Sequence, residues 1–214
     1  MIEIPFRLVD KDGNEITQEC GLNHKDYVKA RNLVEAIELE REPNIRKTSS
    51  INEHVMTLTF MVRELNLKNI LELGTFIGDS TLALLAGAAT IGGHVTSVDI
   101  EDCQIARERI ERAKLSEWWT FVKEDDMKFE YRNDIDLLFI DTSHLFEHTL
   151  NELKRFAPQV KNGGYIVLHD IYICPQVDFA LTGFLLDNNK YVCYRWFNNN
   201  GLAIVKKVEE CVYS

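Results

Sequence analysis

The sequence predicts a doubly wound α/β fold, a mostly parallel sheet between helices, with an antiparallel edge strand and an N-terminal hairpin and helices. Three observations carry this. Short apolar runs alternate with helix-periodic segments from residue 69 to 169, the order that builds a parallel sheet with right-handed crossovers. In Asn69-Ile-Leu-Glu-Leu-Gly-Thr-Phe-Ile-Gly-Asp-Ser-Thr81 a buried strand breaks at Gly74, and a helix resumes at Asp79. The last two strand-like segments, Lys190 to Trp196 and Gly201 to Lys207, are joined by the turn Asn198-Asn-Asn-Gly201, as an antiparallel pair would be.

The elements follow in order. Residues Ile4 to Ile16 alternate and turn at Lys11-Asp-Gly-Asn14, a hairpin signal. Tyr27, Ala30, Leu33, Val34 and Ile37 have helical spacing, and Pro43 ends that helix. Thr48-Ser-Ser50 is a cap for a second helix carrying Ile51, Val55, Leu58, Val62 and Leu65 on one face. The core then reads as strand 69–73, helix 79–90, strand 94–99, helix 102–115, strands 119–123 and 135–140, helix 145–160 and strand 165–169. A helix from Pro175 to Asp187 precedes the final strand pair. Residues 1–50 thus form an accessory packed on a main domain, 51–214, and the accessory is a candidate homodimer interface.

Composition narrows the partners. The 214 residues are 45% hydrophobic and 27% charged, ordinary for a globular protein. No apolar run approaches the roughly 18–20 residues of a membrane-spanning helix, and Met-Ile-Glu-Ile-Pro-Phe-Arg is not expected to be a secretory leader. A net charge of −10 disfavours nucleic acid and anionic membranes and leaves a small molecule as the partner. The odd number of scattered cysteines (Cys20, Cys103, Cys174, Cys193, Cys211) fits free thiols in a reducing cytoplasm.

The glycine turn selects the ligand. A dinucleotide site needs GxGxxG, whose second glycine admits a pyrophosphate; here Phe76 stands in its place. No Lys-Ser/Thr follows, which excludes a phosphate loop. A nucleoside without phosphates remains. Asp99 ends the strand Val95-Thr-Ser-Val-Asp99, about 25 residues after the turn, where an acid accepts from ribose hydroxyls. With Glu72 it makes the region acidic, which suits a cationic nucleoside such as S-adenosylmethionine.

Leu71-Glu-Leu-Gly-Thr-Phe-x-Gly-x-Ser-Thr81 resembles the first motif of class I S-adenosylmethionine-dependent methyltransferases, a Rossmann-like family. Phe76 and the Gly-x-Ser after it are similar to the catechol-type and small bacterial O-methyltransferase branch. The likeness continues through Ser97-Val-Asp-Ile100, Asp125-Asp126, Ile135 to Asp141 and Lys161 to Asp170. It implies that Glu72, Gly74, Thr75, Phe76 and Gly78 line the methionine part of the cofactor and that Ser80 lies near its carboxylate. It further implies that Asp99 holds the ribose, Ile100 packs on the adenine, and Asp126, rather than Asp125, faces the adenine amino group. Asp141 would approach the ammonium and the reacting methyl.

A second constellation, Asp141, His144, His169 and Asp170, follows two apolar strands that should end at the same sheet edge. Carboxylates with imidazole can bind Mg2+ or another divalent metal. Catechol-type relatives use an Asp at each strand end and an Asn after the second; here Asp141 and Asp170 match, and Ile171 replaces the Asn. His169 is the substitute ligand, giving a metal set of Asp141, His169 and Asp170. A hydroxyl acceptor must lose a proton, and His144, with an ordinary pKa of about 6.5, is the candidate base beside Asp141. His24, His54, His94 and His148 have no visible partner, Trp118 and Trp119 are expected at the sheet edge or the adenine, and Arg107 to Arg112 read as a solvated helix face. The expectation is methyl transfer to a small-molecule hydroxyl. The alternatives are N-methylation on the same fold, a related tailoring enzyme, and a non-catalytic binding protein.

Overall fold

The computed structural model describes residues 50–208. The hairpin and helix expected before residue 50, with Cys20 and Cys211, lie outside the described residues. The first described helix, α1 (Val55–Glu64), is followed by β1 (Asn69–Leu73), α2 (Asp79–Ile91), β2 (His94–Asp99), α3 (Gln104–Arg112), β3 (Trp119–Lys123), β4 (Ile135–Ile140), α4 (Phe146–Phe156), β5 (Val160–His169), α5 (Pro175–Leu186), β6 (Tyr191–Trp196) and β7 (Leu202–Lys207).

The seven strands form one sheet in the order β3-β2-β1-β4-β5-β7-β6. The first five are mutually parallel, while β7 runs antiparallel to β5 and β6 antiparallel to β7. The strand order reverses direction between β1 and β4, and in open α/β sheets the carboxyl ends at such a point form the ligand crevice.

Period-two alternation gives each face its own core. Ile70, Leu137, Phe139, Tyr165 and Val167 point to the face covered by α1 and α2. Leu71, Leu73, Leu138, Ile140, Ile166 and Leu168 point to the face covered by α4 and α5. Both faces of the central strands are therefore apolar, which is why they read as unbroken runs. A fully enclosed side chain such as Phe139 contributes about 1.5–3 kcal/mol by leaving water.

The helices depart from expectation at their ends. The segments expected at 102–115 and 145–160 stop at Arg112 and Phe156, and short 3-10 turns follow at Ser116–Trp118 and Ala157–Gln159. The helix expected from Ser50 begins at Val55, because residues before it form a turn in which His54 N–H donates to Ile51 O and Glu53 N–H to Asn199 Oδ1. β5 starts at Val160 instead of residue 165: Val160 pairs with Ile135, and an irregularity before Leu137 absorbs Lys161-Asn-Gly-Gly164.

α1 crosses α2 at close range. Thr59 Oγ1 donates to Ala83 O at 2.9 Å. A Cβ on Gly87 would stand 2.7 Å from both Thr59 O and Val62 Cβ. Alanine at position 87 is favoured by helix propensity by about 1 kcal/mol, but the overlap forces a backbone shift that costs about 1–3 kcal/mol. Gly87→Ala is therefore expected to lower stability in urea unfolding, and an unchanged or raised midpoint would show that α1 and α2 separate without cost.

Candidate active site

The loop after β1 is held from three sides. Beneath it lies Glu72, fully enclosed, because its position in β1 faces α2. Ser80 and Thr81 of α2 donate to its two oxygens at 2.7 Å each, and Ser97 of β2 donates at 2.5 Å. Trp119 Nε1 in turn donates to Ser97 Oγ at 2.9 Å. Burial outweighs the three hydroxyl donors and pushes the Glu72 carboxyl up to about 7.

From the β2 side, Asp99 Oδ2 accepts from the amides of Thr75 and Phe76 at 2.8 and 3.1 Å, and Oδ1 accepts from Glu101 N–H. Burial would raise this carboxyl, but these amides hold it below its ordinary value. From α3, Arg109 donates to Ile77 O at 2.7 Å and pairs with Asp79 at 2.8 Å.

The two glycines serve closure. Gly74 has φ +89°, and a Cβ there would lie 1.9 Å from Asp141 O; Gly78 has φ +85° and would meet Ala106 Cβ at 2.8 Å. They let the loop sit against β4 and α3. What the loop leaves open is the side facing the sheet edge. Phe76 is 78% exposed, Ile100 is 68% exposed, and the buried Thr75 hydroxyl has no hydrogen-bond partner. An apolar platform at Ile100 beside Asp99 and an unsatisfied hydroxyl fit a nucleoside. Glu72 and Ser80, expected against the cofactor, instead face each other under the loop, with Ser80 only 6% exposed.

The second constellation converges as expected. His144 Nε2 lies 3.0 Å from Asp141 Oδ1 and 3.1 Å from Asp170 Oδ2. His169 Nδ1 lies 3.3 Å from Asp141 Oδ2 and 3.2 Å from Asp170 Oδ1. His169 and Asp170 are adjacent in sequence yet both face Asp141, because Asp170 takes φ +60° and turns the chain at the end of β5. His144 has φ +58°. His169 is fully buried, and neither of its ring nitrogens meets a hydrogen bond of good geometry; Asp170 Oδ1 is likewise unpartnered. Ligand atoms of Asp141, His169 and Asp170 lie within 4.8 Å of one another. A buried, unsatisfied imidazole between two carboxylates fits a divalent ion. Ile171, at the position of the family's Asn, is buried in the core and offers nothing.

The charges decide what His144 can do. Hydrogen bonding to Asp141, then to Asp170, holds the imidazole up at about 10, so it is cationic at neutral pH and no longer the ready base its ordinary pKa suggested. Burial would raise Asp141, but the hydrogen bond from His144 and the nearby charge of His169 hold it at about 2.

Asp126, expected at the adenine amino group, lies against α4. His148 Nε2 lies 3.0 Å from its Oδ2, and Glu152 belongs to the same cluster. Asp125 closes its own turn, accepting from Met127 N–H. His54, expected to be alone, stands edge-on to His169 with ring centroids 5.9 Å apart. Arg109, read as solvated, is buried. Its signal was the spacing of Ala106, Arg109 and Ile110, one helix face. Trp118 and Trp119 pack on the sheet edge as expected. Cys103, Cys174 and Cys193 are free thiols.

The sheet, parallel except for a reversed β7 between β5 and the edge strand β6, with a glycine turn after β1 and an acid closing β2, has the Rossmann-like fold of methyltransferases. Residues 71–171 match the family described as a methyltransferase domain, a stretch that runs from β1 to the end of β5. Solved structures agree in fold. The S-adenosylhomocysteine-bound methyltransferase PaMTH1 of Podospora anserina is 18% identical, with 88% of this chain and 97% of that one covered at a TM-score of 0.66. An O-methyltransferase of Bacillus cereus in complex with S-adenosylhomocysteine is 19% identical, with 83% and 90% covered at 0.65. A methyltransferase of Geobacter sulfurreducens is 15% identical, with 83% and 89% covered at 0.64. The comparison with curated proteins finds no match. Among the described residues, no helix is long and apolar enough to cross a membrane.

Two predictions come from these charges. Between its ordinary 4.5 and about 7, folded Glu72 keeps a proton that the unfolded chain has released. Its contribution is complete below that window and falls as pH rises through it, by up to about 1.4 kcal/mol per pH unit. Glu72→Gln stays neutral throughout, so urea midpoints across the window should flatten relative to the parent; an equal slope would mean that Glu72 does not hold the proton. For His144, imidazole NMR titration should find the ring protonated well above its ordinary 6.5, and Asp141→Asn should bring it back toward that value. A ring titrating near 6.5 in the parent protein would remove the ion-pair assignment.

Proposed function

We propose that this protein is an S-adenosylmethionine-dependent methyltransferase acting on a hydroxyl oxygen of a small molecule, assisted by a divalent ion. The observation that carries the reading is the meeting, at one sheet edge, of the Asp99-bound loop and the Asp141–His144–His169–Asp170 cluster. S-adenosylmethionine, when bound, supplies a methyl group made electrophilic by its sulfonium. Asp99 accepts from the ribose hydroxyls with the lone pairs its amide partners leave free, and Ile100 supplies the adenine platform. The Thr75 hydroxyl offers a polar contact from the loop. The partly exposed Asp141 faces the positive end of the cofactor.

Asp141, His169 and Asp170 would hold the ion, whose positive charge lowers the pKa of a hydroxyl. His144 orients an acceptor as a donor while it is protonated. It takes a proton from the acceptor only when the negative charge of Asp141 and Asp170 is balanced otherwise, since those carboxylates are what keep it cationic. In-line displacement then depends on holding acceptor, methyl and sulfur collinear, a positioning effect. The exposed side chains of Phe76, Leu145, Tyr172 and Ile173 form the apolar rim around that acceptor. The O-methyltransferase named among the similar structures supports oxygen as the target.

One observation favours a second reading, methylation of an amine nitrogen. A neutral amine needs no base, and an imidazolium at His144 is no obstacle to it. A metal requirement separates the two, because a lowered hydroxyl pKa benefits only the oxygen acceptor.

The test is calorimetric titration of metal-stripped protein with S-adenosylmethionine, with and without Mg2+. Micromolar binding is expected, with at least a tenfold loss in Asp99→Ala, about 1.4 kcal/mol or more. Asp170→Asn should bind the cofactor as the parent does but lose the effect of Mg2+. Absence of binding under both conditions would overturn the methyltransferase reading in favour of a binding protein that keeps the fold.

A further inference from the structure

A second group of side chains converges away from the Asp141–His169–Asp170 set. Asp126 comes from the turn after β3, and His148 and Glu152 come from successive turns of α4, four residues apart and so on one helix face. Their ligand atoms all lie within 4.8 Å of one another. His148 Nε2 is 3.0 Å from Asp126 Oδ2 and 3.5 Å from Glu152 Oε1. Asp126 is 8% exposed, and Glu152 is fully buried.

The hydrogen bonds do not account for this group. Glu152 Oε1 accepts from Thr142 Oγ1 at 2.8 Å, but Glu152 Oε2, buried, meets no donor. The cluster's own imidazole nitrogen bonds Asp126 Oδ2 and stands 3.5 Å from Glu152 Oε1. A carboxylate oxygen enclosed by protein without a donor is an uncompensated cost, and a bound cation removes it.

We propose that Asp126, His148 and Glu152 bind a divalent transition-metal ion at a site separate from Asp141, His169 and Asp170. One imidazole with two carboxylates suits Zn2+ or Mn2+; Mg2+ and Ca2+ prefer oxygen alone. The Thr142 hydroxyl orients the Glu152 carboxylate, as partners of ligating groups commonly do. His148, with a side chain 29% exposed, gives the ion a route in from solvent. Because Thr142 lies between Asp141 and His144, the ion braces the loop that carries both, and it ties that loop to the end of β3.

The test is equilibrium dialysis of the full chain, stripped with chelator, against Mn2+ or Zn2+ without cofactor, with ion content read by mass spectrometry. The parent protein is expected to hold one ion more than His148→Ala, and that ion should persist in Asp170→Asn. The Asp170→Asn arm keeps this result distinct from the site of the proposed reaction. His148 is partly exposed, so its replacement should fold, which circular dichroism checks; Asp126→Asn, nearly isosteric, gives the same reading if it does not. Equal stoichiometry and affinity in the parent and His148→Ala would overturn the proposal. So would a parent that binds neither ion, which is the result expected if the two carboxylates merely share a proton.

Discussion

The active edge depends on one buried carboxylate. Glu72 sits in the central strand with every oxygen turned inward, where desolvation would make an unassisted ion very costly. Three hydroxyls answer it: Ser97 from β2, and Ser80 and Thr81 from the first turn of α2. Each bond to a charged group is worth about 1.5–3 kcal/mol, yet burial still wins, as the raised proton affinity shows. The network therefore links β1, β2 and α2 beneath the turn, and through Trp119 it reaches β3. With its underside fixed, the loop from Gly74 to Gly78 can present its amides to Asp99 and its carbonyl at Ile77 to Arg109. The loop is shaped before any ligand arrives, so little ordering cost falls on binding.

The neighbouring cluster is organised by charge in place of shape. Two carboxylates and two imidazoles share a small volume at the ends of β4 and β5, and each imidazole lies between both acids. The arrangement is self-neutralising. A cation that approaches Asp141 and Asp170 competes with imidazolium, and success releases a proton from His144 or His169. The base strength of His144 is thus coupled to whatever else binds the two acids. A single pKa assigned to the residue in isolation misses this, since the titration belongs to the group.

Most of the sheet was legible because β1, β4 and the end of β5 are covered on both faces and appear as apolar runs of strand length. The site's two acids were legible because they follow those runs. What escaped was tertiary. A carboxylate inside a strand buried on both faces must lie in the core, and Ser80, Thr81 and Ser97 were its matching donors, but their pairing requires the fold. Arg109 alternates with acids like any solvated helix, and only its contact with Ile77 O and Asp79 draws it inward. His148 and Glu152 share a helix face by spacing alone, whereas Asp126 joins them from 22 residues away. β5 began early because Lys161-Asn-Gly-Gly164 looks like a turn and is in fact a strand irregularity.

Backbone strain marks the same edge independently of charge. Among the described residues, Phe76, Cys103, His144 and Asp170 have positive φ, and they follow β1, β2, β4 and β5 respectively. Asn66, Lys114, Asn199 and Asn200 share that conformation, but they end helices or form the β6–β7 turn, where it is common. A strained residue of the first kind costs on the order of 1–3 kcal/mol. Glycine would adopt the same angles freely and would forfeit the aromatic ring, thiol, imidazole or carboxylate. The strain at Asp170 is what turns its carboxylate toward Asp141 beside the imidazole of His169, and the strain at His144 accompanies its reach to both acids. Local energy is sacrificed where the chain must aim a functional group, and the rigid sheet beneath, anchored through Glu72, makes that possible.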